Sequence, residues 1–293
     1  MVERAIQEDP SDARSYAGLS QCYIALPFFN LAAEDEAYAR ARDATAKALE
    51  LDDSLAEAHL SNAELKFYKD WDFVGAEAEF KKALALSPNY STAHQWYGEF
   101  LSIMARHQEA IREEQTTLTL DPLSTIVHHQ AANVLRDAGR YEEALGHYHE
   151  ALRLNPGFLS SYESMFWSFR RQAKFEESIQ ALRTMAHRFN ASYQLPSRIV
   201  PAIDALERAY EDGGSAAYFR QCVVVHRYYV RSAYYLARDY AELGDRDSAL
   251  AELEHSYRDH DVEALWLFTD PELDAVRADP RFQNLVRRIG FPQ

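Results

Sequence analysis

The chain has 293 residues, 47% of them hydrophobic, and its 46 acidic against 31 basic side chains give a net charge of −15. That size and apolar content allow a large core, while the acidity repels phosphate backbones and anionic lipid surfaces, which argues against nucleic-acid and membrane partners for this segment. Cys22 and Cys222 match neither a metal-ligand spacing nor a disulfide framework, and no apolar run is long enough to span a bilayer, so the expectation is a soluble, cytoplasmic segment without cofactor or metal.

The first residues, MVERAIQEDPSDA, carry acids early and have no apolar stretch, unlike a secretory leader. They read as the end of a second helix, and the chain is expected to be part of something longer. From Asp12 the pattern is helical. A first pair of helices carries Tyr16, Leu19, Ser20, Tyr23, Ala41 and Ala48, with about nine extra residues around Pro27–Asp35. That insertion, PFFNLAAED, places two phenylalanines in a long connection, either over a groove mouth or buried locally. A second pair is marked by Ala63, Ala76, Phe80, Ala83 and Pro88. Trp71 of KDWDF falls in its interhelical turn, where a structural staple is expected. A third pair has Tyr97, Gly98, Leu101, Ala110 and Pro122, and a fourth has Ala131, Ala132, Leu135, Ala144, Tyr148, Ala151 and Pro156. The turn residues Asp53, Pro88, Pro122 and Pro156 follow one another at 35, 34 and 34 residues.

Residues 157–190 keep the helical period with weaker marks (Phe166, Phe169, Ser178, Met185, Asn190), which completes five repeats over 12–190. An irregular helix pair is predicted over 191–228, broken at Gly213-Gly214, with the apolar run 223–225 in a helical context. A late repeat over 229–263 shows Leu236, Ala237, Tyr240, Gly244, Ala249 and Leu253. Residues 264–293 read as a capping segment. Small side chains at these spacings let two helix backbones approach where they cross. Proline after the second helix stops it, and pairs that cannot bury their apolar faces alone must stack.

A period of 34 with these marks resembles the tetratricopeptide repeat. The resemblance implies an all-α, right-handed α–α superhelix, a solenoid of about seven helix pairs plus a C-terminal cap, running through 1–293. The stretches EDPSDARSYAGLSQCY, FYKDWDFVGAEAEFKKAL, STAHQWYGEFL and DPELDAVRADPRFQNLVRRIGFP are similar to the repeat-rich C-terminal half of bacterial signalling proteins. There such repeats follow a winged-helix, nucleotide-cyclase or serine/threonine kinase domain. This implies a sensor or interaction role and assigns no catalytic residue.

In the resembled architecture the first helix of each pair lines a concave groove. Carried onto this chain, the groove holds Glu57, Leu60, Glu64 and Phe67 from the second repeat, and Gln95, Glu99 and Ser102 from the third. The fourth contributes His129, Asn133 and Arg136, and the fifth Glu163, Trp167 and Arg170. Such a surface, acidic at one end and more basic at the other with aromatics between, suits a protein or peptide ligand or a small amphipathic one. The lysine/asparagine clamp of the chaperone-tail-binding subclass is not matched: Leu60, Gln95, His129 and Glu163 stand where lysine is needed. His59, His94 and His128 recur in one register and are expected to pack rather than ligate metal, and His147 and His149 lie on different faces of one helix. Glu57, Glu64 and Glu99 are close enough in register to approach one another. No G-x-S-x-G, phosphate loop, H-E-x-x-H or dinucleotide fingerprint is present. Binding is therefore expected over catalysis. The alternative is a small-molecule receptor or enzyme whose pocket is shut by the irregular C-terminal helices.

Overall fold

The computed structural model describes residues 2–28, 31–192, 199–227 and 232–291. Among them every regular element is helical, and no helix is long and apolar enough to cross a membrane. The contacts divide the chain into two compact units, Met1–Phe100 and Leu101–Gln293.

The first unit opens with the short α1 (Val2–Glu8) and a hairpin of α2 (Ala13–Phe28) and α3 (Glu34–Leu51). A second hairpin pairs α4 (Ala56–Glu64) with α5 (Phe73–Leu86), and α4 also packs on α2. Its last part is the start of α6 (Ser91–Ile103). Alanine makes these crossings possible: Ala17, Ala41, Ala48, Ala58, Ala63, Ala76 and Ala83 are all fully buried. A side chain of one carbon lets backbones meet while Phe67, Phe80 and Phe100 fill the space around them. Ser20 and Thr45 satisfy each other by a buried hydroxyl pair at 2.7 Å. Beyond Glu64 the helix widens into a π-turn over Leu65–Asp70 and stops at Trp71, whose backbone is left-handed (φ 53, ψ 29). Asp72 then caps α5 by accepting from the Gly75 amide at 2.9 Å. The phenylalanine side chains of the 27–35 insertion lie outside the described residues.

The second unit continues with α7 (His107–Leu120), α8 (Thr125–Asp137), α9 (Tyr141–Leu154), α10 (Leu159–Arg171) and α11 (Phe175–Ser192). α8 pairs with α9 and α10 with α11. α12 (Ile199–Val225) leaves helical geometry at Gly213 and at Gly214 (φ 62, ψ −156), a conformation open essentially to glycine alone, so it is two helices joined end to end. Val223–Val225 is helical. α13 (Ala233–Glu242) and α14 (Arg246–Arg258) form a further hairpin.

The C-terminal segment lies against that hairpin. It contains 3-10 turns at Val262–Phe268 and Pro271–Leu273, α15 (Asp274–Arg277) and α16 (Pro280–Ile289). Asp270 and Asp279, each followed by proline, cap its turns, the placement that suits a residue with no amide hydrogen to lose. Phe282, Leu285, Val286, Ile289 and Phe291 are buried. Arg288 ties α16 to Glu254 of α14 at 2.8 Å.

Candidate functional site

In the first unit the residues expected in a groove separate by burial. Leu60 and Phe67 are 0% and 1% exposed, so neither offers a surface to a ligand. α2, α3 and α5 all pack on α4. The π-turn carries Phe67 into an aromatic core with Tyr68 and Phe100 at ring-centroid distances of 4.6 and 5.3 Å. Ser102, at the start of the second unit, is buried as well. Glu57, Gln95 and Glu99 are half-buried.

Glu64 is buried, with Oε2 lacking any hydrogen-bond partner. Burial, reinforced by the nearby Glu99 carboxylate, pushes its carboxyl up to about 8, so it is a neutral acid at pH 7. Glu99 is held by the Tyr68 hydroxyl, which donates at 2.7 Å. Burial also raises Tyr90, with Glu57 and Glu64 adding to the effect and Gln21 donating to its hydroxyl at 3.2 Å. Glu64 and Glu99 therefore do approach each other, as a buried acid beside a tyrosine-bound carboxylate.

In the second unit the remaining predicted residues gather around one wall. Asn133 organises the α8 side. Its Oδ1 accepts from the Tyr148 hydroxyl at 2.7 Å and from Arg136 at 3.3 Å, which turns its NH2 group to His129 Nε2 at 3.2 Å. The ring proton of His129 then sits on Nδ1, 3.2 Å from Ser161 Oγ. Burial and the Arg136 charge hold His129 down at about 4, so it is a neutral fixture.

Next to it runs a buried chain of alternating charge. Arg136 and Arg171 both bind Asp137 at 2.9 Å. Arg171 and Arg238 reach Asp270 at 3.3 and 3.0 Å. Arg238 and Arg170 reach Glu272 at 2.8 and 3.0 Å. Arg170 bonds Asp239 at 2.7 Å, and Asp239 meets His226 at 2.5 Å. Burial alone would raise these carboxyls, but the guanidiniums win. Arg136 and Arg171 hold Asp137 low, Arg170 and His226 hold Asp239 low, and Arg238 and Arg171 put Asp270 well below the usual carboxylate range. Arg170, expected in the groove, has a side chain only 1% exposed and belongs to this network, so a ligand cannot touch it.

The network forms the back of a pocket of about 200 Å³ lined by Arg136, Glu163, Trp167, Arg171, Tyr234, Tyr235, Arg238, Glu263, Trp266 and Asp270. Trp167 and Tyr235 stack at 5.2 Å with planes 12° apart, and the Arg238 guanidinium lies 4.3 Å from the Trp167 ring. Of the residues read from the sequence, Arg136, Glu163 and Trp167 meet here. Tyr235, Arg238, Glu263 and Trp266 were missed, because they come from α13 and the 3-10 turn that follows α14, outside the five regular repeats.

The recurring histidines serve the turns. Nε2 of His59, His94 and His128 lies 2.9, 2.9 and 3.0 Å from the carbonyl oxygens of Asp53, Pro88 and Pro122, each six residues earlier. Each ring thus ties the start of a first helix to the turn before it. His59 Nδ1 also meets Glu79 at 2.6 Å, and His128 Nδ1 meets His147 Nδ1 at 3.0 Å. Among the described residues no group of three or more side chains is arranged to hold a metal ion.

Comparison with known proteins places the fold first. The structure resembles PilW, a widely conserved type IV pilus biogenesis factor, at a TM-score of 0.58 and 17% identity over 76% of this chain and 96% of that one. It resembles Pseudomonas aeruginosa PilF at a TM-score of 0.51 and 21% identity over 80% and 98% of the two chains. At such identities the likeness is one of fold: an all-α, tetratricopeptide-like array of helix hairpins of the α-solenoid class. The tetratricopeptide repeat family then matches by sequence at residues 126–158, which span α8, α9 and the turn after them. No curated protein matches the sequence.

Proposed function

We propose that the chain is a protein- or peptide-binding scaffold and that the pocket beside Trp167 receives one side chain of the bound segment. The observation that carries this reading is the composition of the pocket. Tryptophan, tyrosine and arginine are the residues that dominate binding hot spots, and here Trp167, Tyr235, Trp266, Arg136 and Arg238 line one recess. Buried ion pairs hold the arginines in place before any ligand arrives, which lowers the ordering cost of binding. The size of this pocket, about 200 Å³, supports the peptide reading. Pockets that enclose a small-molecule substrate run from roughly 300 to 1,000 Å³, so this one suits a single side chain of a larger partner. The C-terminal segment does contribute Glu263, Trp266 and Asp270 to the wall, and this favours the receptor reading only to that extent. The resemblance of the repeats to those of signalling proteins supports reading the chain as the interaction part of a larger regulatory protein.

The test is selection of a phage-displayed random peptide library on the purified chain, followed by affinity measurement on Trp167→Ala and Glu163→Lys. Selected peptides should share an anchor residue and bind Trp167→Ala about tenfold more weakly or worse. Peptides that bind wild type and both variants alike would remove the pocket from the proposal.

A further inference from the structure

A second concavity lies on α10, α11 and α12, lined by different residues from the Trp167 pocket. It is an open groove of about 920 Å³. The half-buried Phe169 of α10 and Tyr210 of α12 make its apolar surface, with the buried Tyr162, Met165 and Ile179 behind them. Glu176 and Glu177 of α11 and Glu207 and Glu211 of α12 also line it. We propose that this groove docks a basic amphipathic segment of a partner protein, with lysine or arginine flanking a bulky apolar side chain.

Charge decides the occupant. Among the groove's lining residues there is no lysine or arginine. Arg183, beside the groove, neutralises Glu207 and Asp204, but Glu176, Glu177 and Glu211 have no ion pair among the described residues. An anionic or purely apolar ligand would leave these carboxylates repelled or desolvated, whereas a cationic segment satisfies them. The glutamates at 176 and 177 have a local reason to exist, since acids in the first turn of α11 complement its dipole. Glu211 has the opposite relation to its helix. It sits just before the break at Gly213, at the C-terminal end of the first half of α12, where a negative charge is disfavoured. Its position costs its own helix stability and completes the negative lining of the groove. Phe169 and Tyr210 supply the other half of the recognition, because their ring faces offer apolar contact to a bulky side chain. A volume of about 920 Å³ lined from three helices suits a helix laid into it better than a single side chain.

The probe is a synthetic amidated peptide with lysine on one helical face and leucine on the other, beside a twin with glutamate in place of lysine. Fluorescence anisotropy reads binding to the whole chain. Since a chain of net charge −15 attracts any polycation, charge reversal is compared at two places. Glu177→Lys with Glu211→Lys alters the groove, and Asp43→Lys with Asp121→Lys makes the same charge change at exposed positions outside it. The lysine peptide should bind wild type and the glutamate twin should not. The groove pair should weaken binding about tenfold and the remote pair less than about twofold. Phe169→Ala should weaken it at low and high salt alike, because its contact is apolar, and Trp167→Ala should leave it unchanged. Absence of binding to wild type, equal weakening by the two charge pairs, or indifference to Phe169→Ala would overturn the proposal. Weakening by Trp167→Ala alone would move the peptide to the other pocket.

Discussion

Glu64 is an acid whose neutral form the fold selects. Its carboxyl stands at about 8 in the folded chain against 4.5 when free, because burial and Glu99 both oppose ionisation. The folded state therefore keeps a proton that the unfolded chain gives up. Stability from this group is full below about pH 4.5 and is lost at roughly 1.4 kcal/mol per pH unit as pH rises toward 8, after which the loss stops. Glu64→Gln preserves the neutral shape and removes the titration. Urea unfolding at pH 8.5 should show the variant more stable than wild type by a few kcal/mol, with the difference closing near pH 5. Equal stability at both pH values would mean that Glu64 is ionised in the fold. Arg170 gives the converse case. Arg170→Met leaves Asp239 and Glu272 without a cation that both use, and stripping one partner from a buried pair costs about 3–5 kcal/mol. Urea unfolding should show that loss; a change under about 1 kcal/mol would show water already screening the network.

Among the elements, five turns between successive helices repeat one conformation with different residues. Trp71, Ala105, Gly139, Ala173 and Gly244 all stand at positive φ, between 53 and 75 degrees. This is the left-handed stop of a helix, where glycine is favoured because a Cβ crowds the following carbonyl. No neighbouring atom lies within 4 Å of where a Cβ would sit at Gly139 or Gly244, so any cost of alanine there is backbone strain alone. Gly139→Ala and Gly244→Ala should each lower stability by about 1 kcal/mol, and Ala105→Gly and Ala173→Gly should be neutral to slightly stabilising. Thermal melts of the four variants check both signs; a loss on Ala105→Gly as large as that on Gly139→Ala would contradict the strain argument. These hairpins were legible in the sequence because their information is local. An alanine at each crossing and a proline or aspartate at each turn recur with the repeat. The π-turn at Leu65–Asp70 was not legible, since nothing in LKFYKD departs from ordinary helical composition, and it places Phe67 in the core. The Trp167 pocket was half legible. Arg136, Glu163 and Trp167 follow from register in a first helix. Asp270 and Glu272 meet Arg171 and Arg238 from a 3-10 turn roughly 100 and 34 residues away in sequence, and no periodicity encodes that return.

Across the whole molecule, buried acids are shifted in opposite directions at different sites. In Met1–Phe100 the dominant buried acid, Glu64, is raised and weakens the fold as pH rises. In Leu101–Gln293 the buried acids Asp137, Asp239 and Asp270 are lowered by the arginines around them. The unfolded chain takes up protons near pH 4 where these folded carboxylates do not, so their contribution is present above that pH and is lost as acid protonates them. Glu242 of α13, which burial and Glu272 push up to about 7, and Glu163 of α10, which burial raises, run the other way and lose stability as pH climbs from about 4.5. The Glu64 site in α4 and the Asp137 site in α8 should thus lose stability at opposite ends of the pH scale. Native-state hydrogen exchange read by mass spectrometry, corrected for the intrinsic pH dependence of exchange, resolves them on one sample. Peptides from α4 should lose protection between pH 5 and 8 while peptides from α8 hold theirs, and below about pH 4 the order should reverse. Glu64→Gln should abolish the first change and leave the second. Parallel loss in α4 and α8 at every pH would show the chain opening as one cooperative body and would remove the separate electrostatic control of the two sites.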